Sequence, residues 1–244
     1  MSPAQRAAVA AKKPPHLRAV LWDLDGTLTD SVRLVAETMS AVVAAHGGPP
    51  LAFEKVGELI GHPLDAMFRL AWPDIGSEDL ERYRVEYRAR YDAVAIPATR
   101  LFRGARKTLR DFHAAGLLQA TVTGKRAADC ERILRGLGIK KDIDVYLGGD
   151  STLRPKPAPD LAQYAMNRLG VSPTESVVIG DSAADIAMGK AAGAHTIQVL
   201  WGFSKSTISD AEWSVRTWRE LRHAVFALGE PKPGILGRRG PIRS

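Results

Sequence analysis

Short apolar runs with strand character recur along the chain, at residues 19–22, 120–122, 143–147, 177–179 and 196–200. Between most of them the apolar positions shift to helical spacing, at 104–115, 127–137, 159–169 and 185–192. Strands that alternate with helices predict an α/β fold built on a mainly parallel sheet.

One stretch breaks the alternation. From residue 31 to about residue 96 no strand pattern occurs. Val35, Met39, Val42 and Val43 fall on one helical face, and His46-Gly47-Gly48-Pro49-Pro50 ends that helix. Further helical patterns follow at 53–60, 64–71 and 78–91. This predicts an all-helical insertion directly after the first strand. The expected organisation is a tail over 1–16, a core from 17–30 and 97–228, the insertion at 31–96, and a Gly/Pro/Arg-rich tail over 229–244. Both tails have disordered composition.

The formal net charge is +7. Residues 1–18 carry four Lys/Arg and residues 231–244 another four, neither with an acid, which leaves 26 basic against 27 acidic side chains between them. The body of the chain is near neutral, so no specific nucleic-acid partner is expected. No apolar run approaches the about 20 residues that span a bilayer, and residues 1–15 lack the apolar core of a secretory signal. No membrane partner is expected. The single cysteine, Cys130, excludes an intramolecular disulfide framework and a Cys-rich zinc site, and fits a reducing cytoplasm.

The candidate chemistry lies where the strands end. The first runs into Asp23-Leu24-Asp25-Gly26-Thr27-Leu28-Thr29-Asp30. Side chains alternate along extended chain, so Asp23 and Asp25 share a side, where two carboxylates repel unless a cation or proton intervenes. Such a stretch alone also reads as a surface turn. The second strand ends in Thr123-Gly124-Lys125, the fourth in Gly180-Asp181-Ser182 with Asp185 a turn later, and Lys156 lies near the third, in Arg154-Pro155-Lys156-Pro157. Open α/β sheets bind ligands beyond the carboxyl ends of their strands. One crevice there would collect acids for a hard cation, with a hydroxyl, backbone N–H groups and an ammonium for a phosphate.

These four motifs, in this order and spacing, resemble the haloacid dehalogenase-like hydrolase superfamily. The helical insertion resembles its subclass I cap on a Rossmann-like core, as in the phosphoglycolate phosphatase-like group. The resemblance covers roughly residues 17–228. It implies Mg²⁺ as cofactor and a small phosphorylated substrate, phosphoglycolate-like by preference. It also implies Asp23 as the nucleophile that forms an aspartyl-phosphate, and Asp25 as general acid and then base. Metal ligation would fall to Asp23, Asp25 through its backbone carbonyl, and Asp181. Phosphate binding would fall to Thr123, Gly124 and Lys156, with Asp185 and Thr27 in support. Relatives often carry Asn where Gly124 stands, so that side chain's contacts are lost while the N–H is kept. Arg33, His62 and Arg69 are the candidates for leaving-group contact. A sugar-phosphate mutase is the alternative within the superfamily. The loop Gly61-His62-Pro63-Leu64 lacks the mutases' Arg after Gly, and the position of their early cap-helix His falls near Val35. A non-catalytic binding protein on this fold is the alternative outside it. Monomer and homodimer remain equally open.

Overall fold

The computed structural model describes residues 17–60 and 62–228. The expected tails at 1–16 and 229–244 lie outside the described residues. The chain opens with strand β1 (Ala19–Trp22) and a short strand β2 (Thr29–Asp30). Four helices follow: α1 (Val32–Ala45), α2 (Phe53–Leu59), α3 (Leu64–Ala71) and α4 (Ser77–Ala98). Strand β3 (Arg100–Leu101) then pairs antiparallel with β2, so the insertion leaves and re-enters the core side by side. The rest alternates as α5 (Ala105–Ala114), β4 (Leu118–Val122), α6 (Ala127–Gly136), β5 (Val145–Leu147), α7 (Asp160–Leu169), β6 (Ser176–Gly180), α8 (Ala183–Ala191), β7 (His195–Val199), β8 (Trp213–Val215) and α9 (Trp218–Ala227).

The six main strands form a parallel sheet in the order β5-β4-β1-β6-β7-β8. This is the expected α/β class. The chain lays β4 and β5 outward on one side of β1, then returns to lay β6, β7 and β8 on the other. The order thus reverses at β1, and in such sheets the crevice for ligands opens at the reversal. Trp22 is in register with Thr121 of β4 and Ile179 of β6, so all three strands end at the same level.

Every residue of β1 is buried because both faces of the sheet are covered. Val20 and Trp22 pack with Leu109 and Phe112 of α5, Ile133 and Leu134 of α6, and Leu221 and Val225 of α9. Leu21 faces the opposite layer, with Leu161 and Met166 of α7 and Met188 of α8. Trp22 stacks on Phe112 at 5.9 Å between ring centres, and its Nε1 donates to Gln119 Oε1 at 3.0 Å. The fully buried Gln119 turns its own Nε2 to the carbonyls of Leu109 and Asp142, each at 2.9 Å. One amide therefore ties a strand, a helix and a turn together.

The insertion has its own apolar cluster, in which the expected stripe Val35, Met39, Val42 and Val43 is buried. Tyr83, Tyr87, Tyr91 and Ala95, four apart on α4, form the facing stripe, and Phe203 of the core packs against it. Gly57 of α2 makes room for that ring, since a Cβ there would lie 1.8 Å from Phe203 Cε2.

Some elements differ from the sequence pattern. β5 starts at Val145 rather than 143, because Asp144 Oδ2 accepts the Gln119 backbone N–H at 2.7 Å. Helix α4 runs on to Ala98, with Pro97 in its last turn, where the ring removes one intrahelical N–H donor. The apolar pattern assigns nothing after residue 200, yet β8 and α9 lie there. A readable signal was present: the Thr217 side chain accepts the Glu220 N–H, the first half of a capping box.

Gln119→Leu leaves the buried Trp22 indole N–H without its acceptor and takes a donor from the Leu109 and Asp142 carbonyls. It should cost roughly 2–4 kcal/mol of unfolding free energy. Urea denaturation tests this, and an unchanged midpoint would contradict the role given to the amide.

Candidate active site

The carboxyl ends of β1, β4 and β6 carry the chemistry. Asp23 follows β1 directly, and its N–H donates to Ile179 O at 2.9 Å, which extends the sheet by one residue. The chain must then turn at once. Gly26 does so at φ +79°, and any side chain there would collide with the Asp181 carboxylate, 2.4 Å from a built Cβ. Thr29 secures the turn, with its N–H at 2.9 Å and its hydroxyl at 3.0 Å from Leu24 O. Thr27 is buried beneath it, and its Oγ1 has no hydrogen-bond partner among the described residues.

Lys156 lies at the centre, with 1% of its side chain exposed. Its Nζ donates to Asp23 Oδ1 at 2.8 Å and to Asp185 Oδ1 at 2.5 Å. Burial works against this ammonium, but the attraction of Asp185 and Asp23 outweighs it and holds the pKa above the usual lysine range. The residues after β6 follow one another closely. Ser182 caps α8, while Asp185 Oδ2 returns to accept the Ser182 N–H at 3.1 Å and hydroxyl at 2.6 Å. Asp185 is thereby fixed at both oxygens. Asp181 Oδ2 accepts the backbone N–H of Phe203 at 2.8 Å.

Asp23, Asp181 and Asp185 bring carboxylate oxygens within 4.8 Å of one another. Burial raises the Asp23 pKa well above the carboxylate range. Lys156 opposes that rise, while Asp185, Asp181 and Asp25 reinforce it by repulsion. Burial, then repulsion from Asp185, pushes Asp181 up to about 7.

Asp25 is turned away from this trio. Its Oδ1 accepts from the Ser31 hydroxyl, and its Oδ2 pairs with Lys125 Nζ at 2.9 Å. Lys125 also donates to the Tyr91 hydroxyl of α4 at 2.9 Å, with its ammonium 4.4 Å from that ring's centre. Burial disfavours the charge on Lys125, but Asp25, Tyr91 and Tyr87 hold its pKa well above the ordinary lysine value. Lys125 is a site residue that sequence reasoning missed. It was visible in Thr123-Gly124-Lys125, but only the β1–β4 pairing shows that it reaches Asp25.

Above these groups, between the sheet edge and the helical insertion, lies a cavity of about 240 Å³. Asp23, Asp25, Thr123, Gly124 and Lys125 form its floor, and His62, Tyr87 and Arg88 belong to its far wall. Of the three residues expected to meet a leaving group, only His62 lines it. Arg33 is solvent-exposed and paired with Glu37 at 3.4 Å, since it stands off the buried stripe of α1. Arg69 is exposed next to buried Met67 and Phe68, on the outer side of α3. The arginines at the cavity are Arg84, Arg88 and Arg126.

The family model of the haloacid dehalogenase-like hydrolases matches residues 20–199. The phosphoglycolate phosphatase of Xylella fastidiosa is 31% identical over 208 residues, covering 85% of this chain and 91% of its own. The N-acetylmuramic acid 6-phosphate phosphatase of Pseudomonas aeruginosa is 32% identical over 202 residues, covering 82% and 89%. A hydrolase of Pseudomonas syringae, solved by crystallography, shares the fold with a TM-score of 0.75 at 23% identity, covering 85% of this chain and 97% of its own. By the match from β1 to β7 and by identity to these relatives over most of both lengths, the chain belongs to the haloacid dehalogenase-like hydrolase family.

Proposed function

We propose that the chain is a magnesium-dependent phosphatase that passes the phosphoryl group of a small metabolite to Asp23 and then to water. A phosphoglycolate-like substrate is the nearest fit, as the relatives' names suggest. The observation that carries the reading is the buried Asp23, held through one oxygen by Lys156 beside two further carboxylates.

The residues fit the metal. Three desolvated carboxylates that repel one another form an all-oxygen site for a small hard cation. Asp23 and Asp181 would hold it, with the backbone carbonyl of Asp25, while Asp185 is engaged by Lys156 and Ser182. When bound, Mg²⁺ would supply positive charge to the phosphoryl oxygens.

The chain's own groups do the rest. Lys156 orients Asp23 and lowers the repulsion between its carboxylate and a phosphate dianion. Thr123 and the Gly124 N–H, which line the same cavity, would bind phosphoryl oxygens. Asp23 attacks phosphorus, the bond to the leaving oxygen breaks, and Asp25 gives that oxygen a proton. Asp25 then takes a proton from water, whose oxygen displaces Asp23 from phosphorus. Ser31 donates to one Asp25 oxygen and Lys125 pairs with the other, so the two orient this carboxyl toward the leaving group. Residues 31–96 act as a cap that keeps bulk water from Asp23. The absence of an Arg after Gly61, where His62 stands, disfavours the mutase alternative. The single buried Cys130 suits the cytoplasm.

Asp23→Asn should reduce turnover by on the order of 10³-fold or more with an unchanged circular dichroism spectrum. Activity near wild type would remove the covalent route. Asp25→Asn should slow an alkyl phosphate much more than an activated aryl phosphate, whose leaving group needs no proton. Equal losses on both would reassign the general acid.

The metal has a test that needs no turnover. In the folded metal-free chain Asp181 keeps a proton up to about pH 7, whereas the ordinary carboxylate value is 3.8. The stability from this group is therefore complete below about pH 4 and is lost as the pH rises through about 7. Mg²⁺ binds the ionised form, so it should raise Tm more at about pH 8 than at about pH 5. Equal shifts at both would argue that Asp181 is not a ligand.

A further inference from the structure

Among the described residues most charged groups around the cavity pair off; the exceptions are Asp150, which accepts the Ala127 backbone N–H at 2.8 Å, and Arg88. Lys125 is matched by Asp25 at 2.9 Å, Arg126 by Asp129 at 2.7 Å and Arg84 by Asp65 at 3.3 Å. Asp92, also at the cavity, is taken by Arg132. Arg88 lines the same cavity and, among the described residues, makes no ion pair and no hydrogen bond. Partial burial, with the guanidinium groups of Arg126 and Arg84 close by, depresses its pKa. Three arginines thus converge; Arg84 and Arg126 are each engaged by an acid, and Arg88 is the one whose guanidinium has no ion-pair partner among the described residues.

Its place on α4 fixes where that guanidinium lies. Arg84 and Arg88 are four apart and share a helix face. Arg88 precedes Tyr91 by three residues, about 4.5 Å along the helix axis. Tyr91 touches Lys125, and Lys125 touches Asp25, the proposed proton donor to the leaving oxygen. A group bound at Arg88 would therefore sit on the insertion side of Asp25, toward the leaving group.

Resting on the phosphatase reading above, we propose that Arg88 is the specificity-determining residue and anchors a second anionic group, a carboxylate or a phosphate, on the leaving group. An unpaired guanidinium presents a planar fork of donors that such an anion can accept in bidentate fashion. The small cavity, about 240 Å³, restricts the substrate to a short carrier between its two charges.

The test compares kcat/KM for three esters of one length: phosphoglycolate, ethane-1,2-diol bisphosphate and the uncharged-ended 2-hydroxyethyl phosphate. Wild type should prefer at least one dianionic-plus-anionic ester over 2-hydroxyethyl phosphate by about tenfold or more. Arg88→Ala should shrink that preference by roughly 10- to 100-fold, and Arg88→Lys should restore part of it as a point charge without the fork. Preference for phosphoglycolate alone assigns a carboxylate, and preference for the bisphosphate alone assigns a second phosphate. A wild type that hydrolyses all three equally, or a folded Arg88→Ala that keeps the full preference, would overturn the anchor and leave the phosphatase reading standing. Failure of wild type with Mg²⁺ on all three and on p-nitrophenyl phosphate would overturn both.

Discussion

The ion pair network of Lys156 is the constraint on which the site depends. An ammonium with 1% of its side chain exposed is costly to bury, and so is each carboxylate beside it. The charges become tolerable only together, at hydrogen-bond distance, with Asp185 also satisfied by Ser182. That arrangement requires β1 and β6 to be neighbours, with the segment holding Lys156 folded over their ends. It also requires backbone to pass where no side chain fits. Cβ atoms built on Gly26 and Gly202 would lie 2.4 and 2.2 Å from Asp181, and one on Gly180 would lie 2.3 Å from Asp185. The glycines at these three positions are the steric counterpart of the charge network.

Much of this was legible before any coordinates. The strand runs were apolar enough to place β1, β4, β6 and β7, and Asp23, Asp25, Lys156, Asp181 and Asp185 all lie within a few residues of a strand end or its loop. Local signals suffice for such residues, because the sheet does the rest. What was not legible depends on helical phase or on pairing. Arg33 and Arg69 were plausible cap residues until α1 and α3 showed which faces are buried. Arg88 escaped notice because α4 scatters charge around most of its circumference, and only the packed Tyr83, Tyr87 and Tyr91 reveal its inner side. Asp25 gave no hint that it faces away from the other carboxylates, since that orientation comes from Ser31 and Lys125.

The carboxylates divide accordingly into two environments. Asp23, Asp181 and Asp185 share one enclosed space around Lys156, while Asp25 looks toward the insertion through Lys125 and Tyr91. In the proposed mechanism the first environment holds charge and the second moves a proton. Placing the proton carrier against the insertion puts it where the leaving group must lie.

Phe203 joins the two layers in a different way. Its backbone N–H holds Asp181 at 2.8 Å, while its ring fills the space left by Gly57 and packs with the insertion's apolar cluster. One residue therefore takes part both in the electrostatics of the core and in the seating of the insertion above it. Where two such equilibria share a component, each must bias the other by the same factor. To the extent that the ring and its own amide move as one body, an ion that tightens Asp181 favours the seated insertion, and a seated insertion strengthens the hold on the ion. Occupancy of the site and enclosure of the site then become reciprocal quantities, linked through a single aromatic side chain rather than through the reacting molecule.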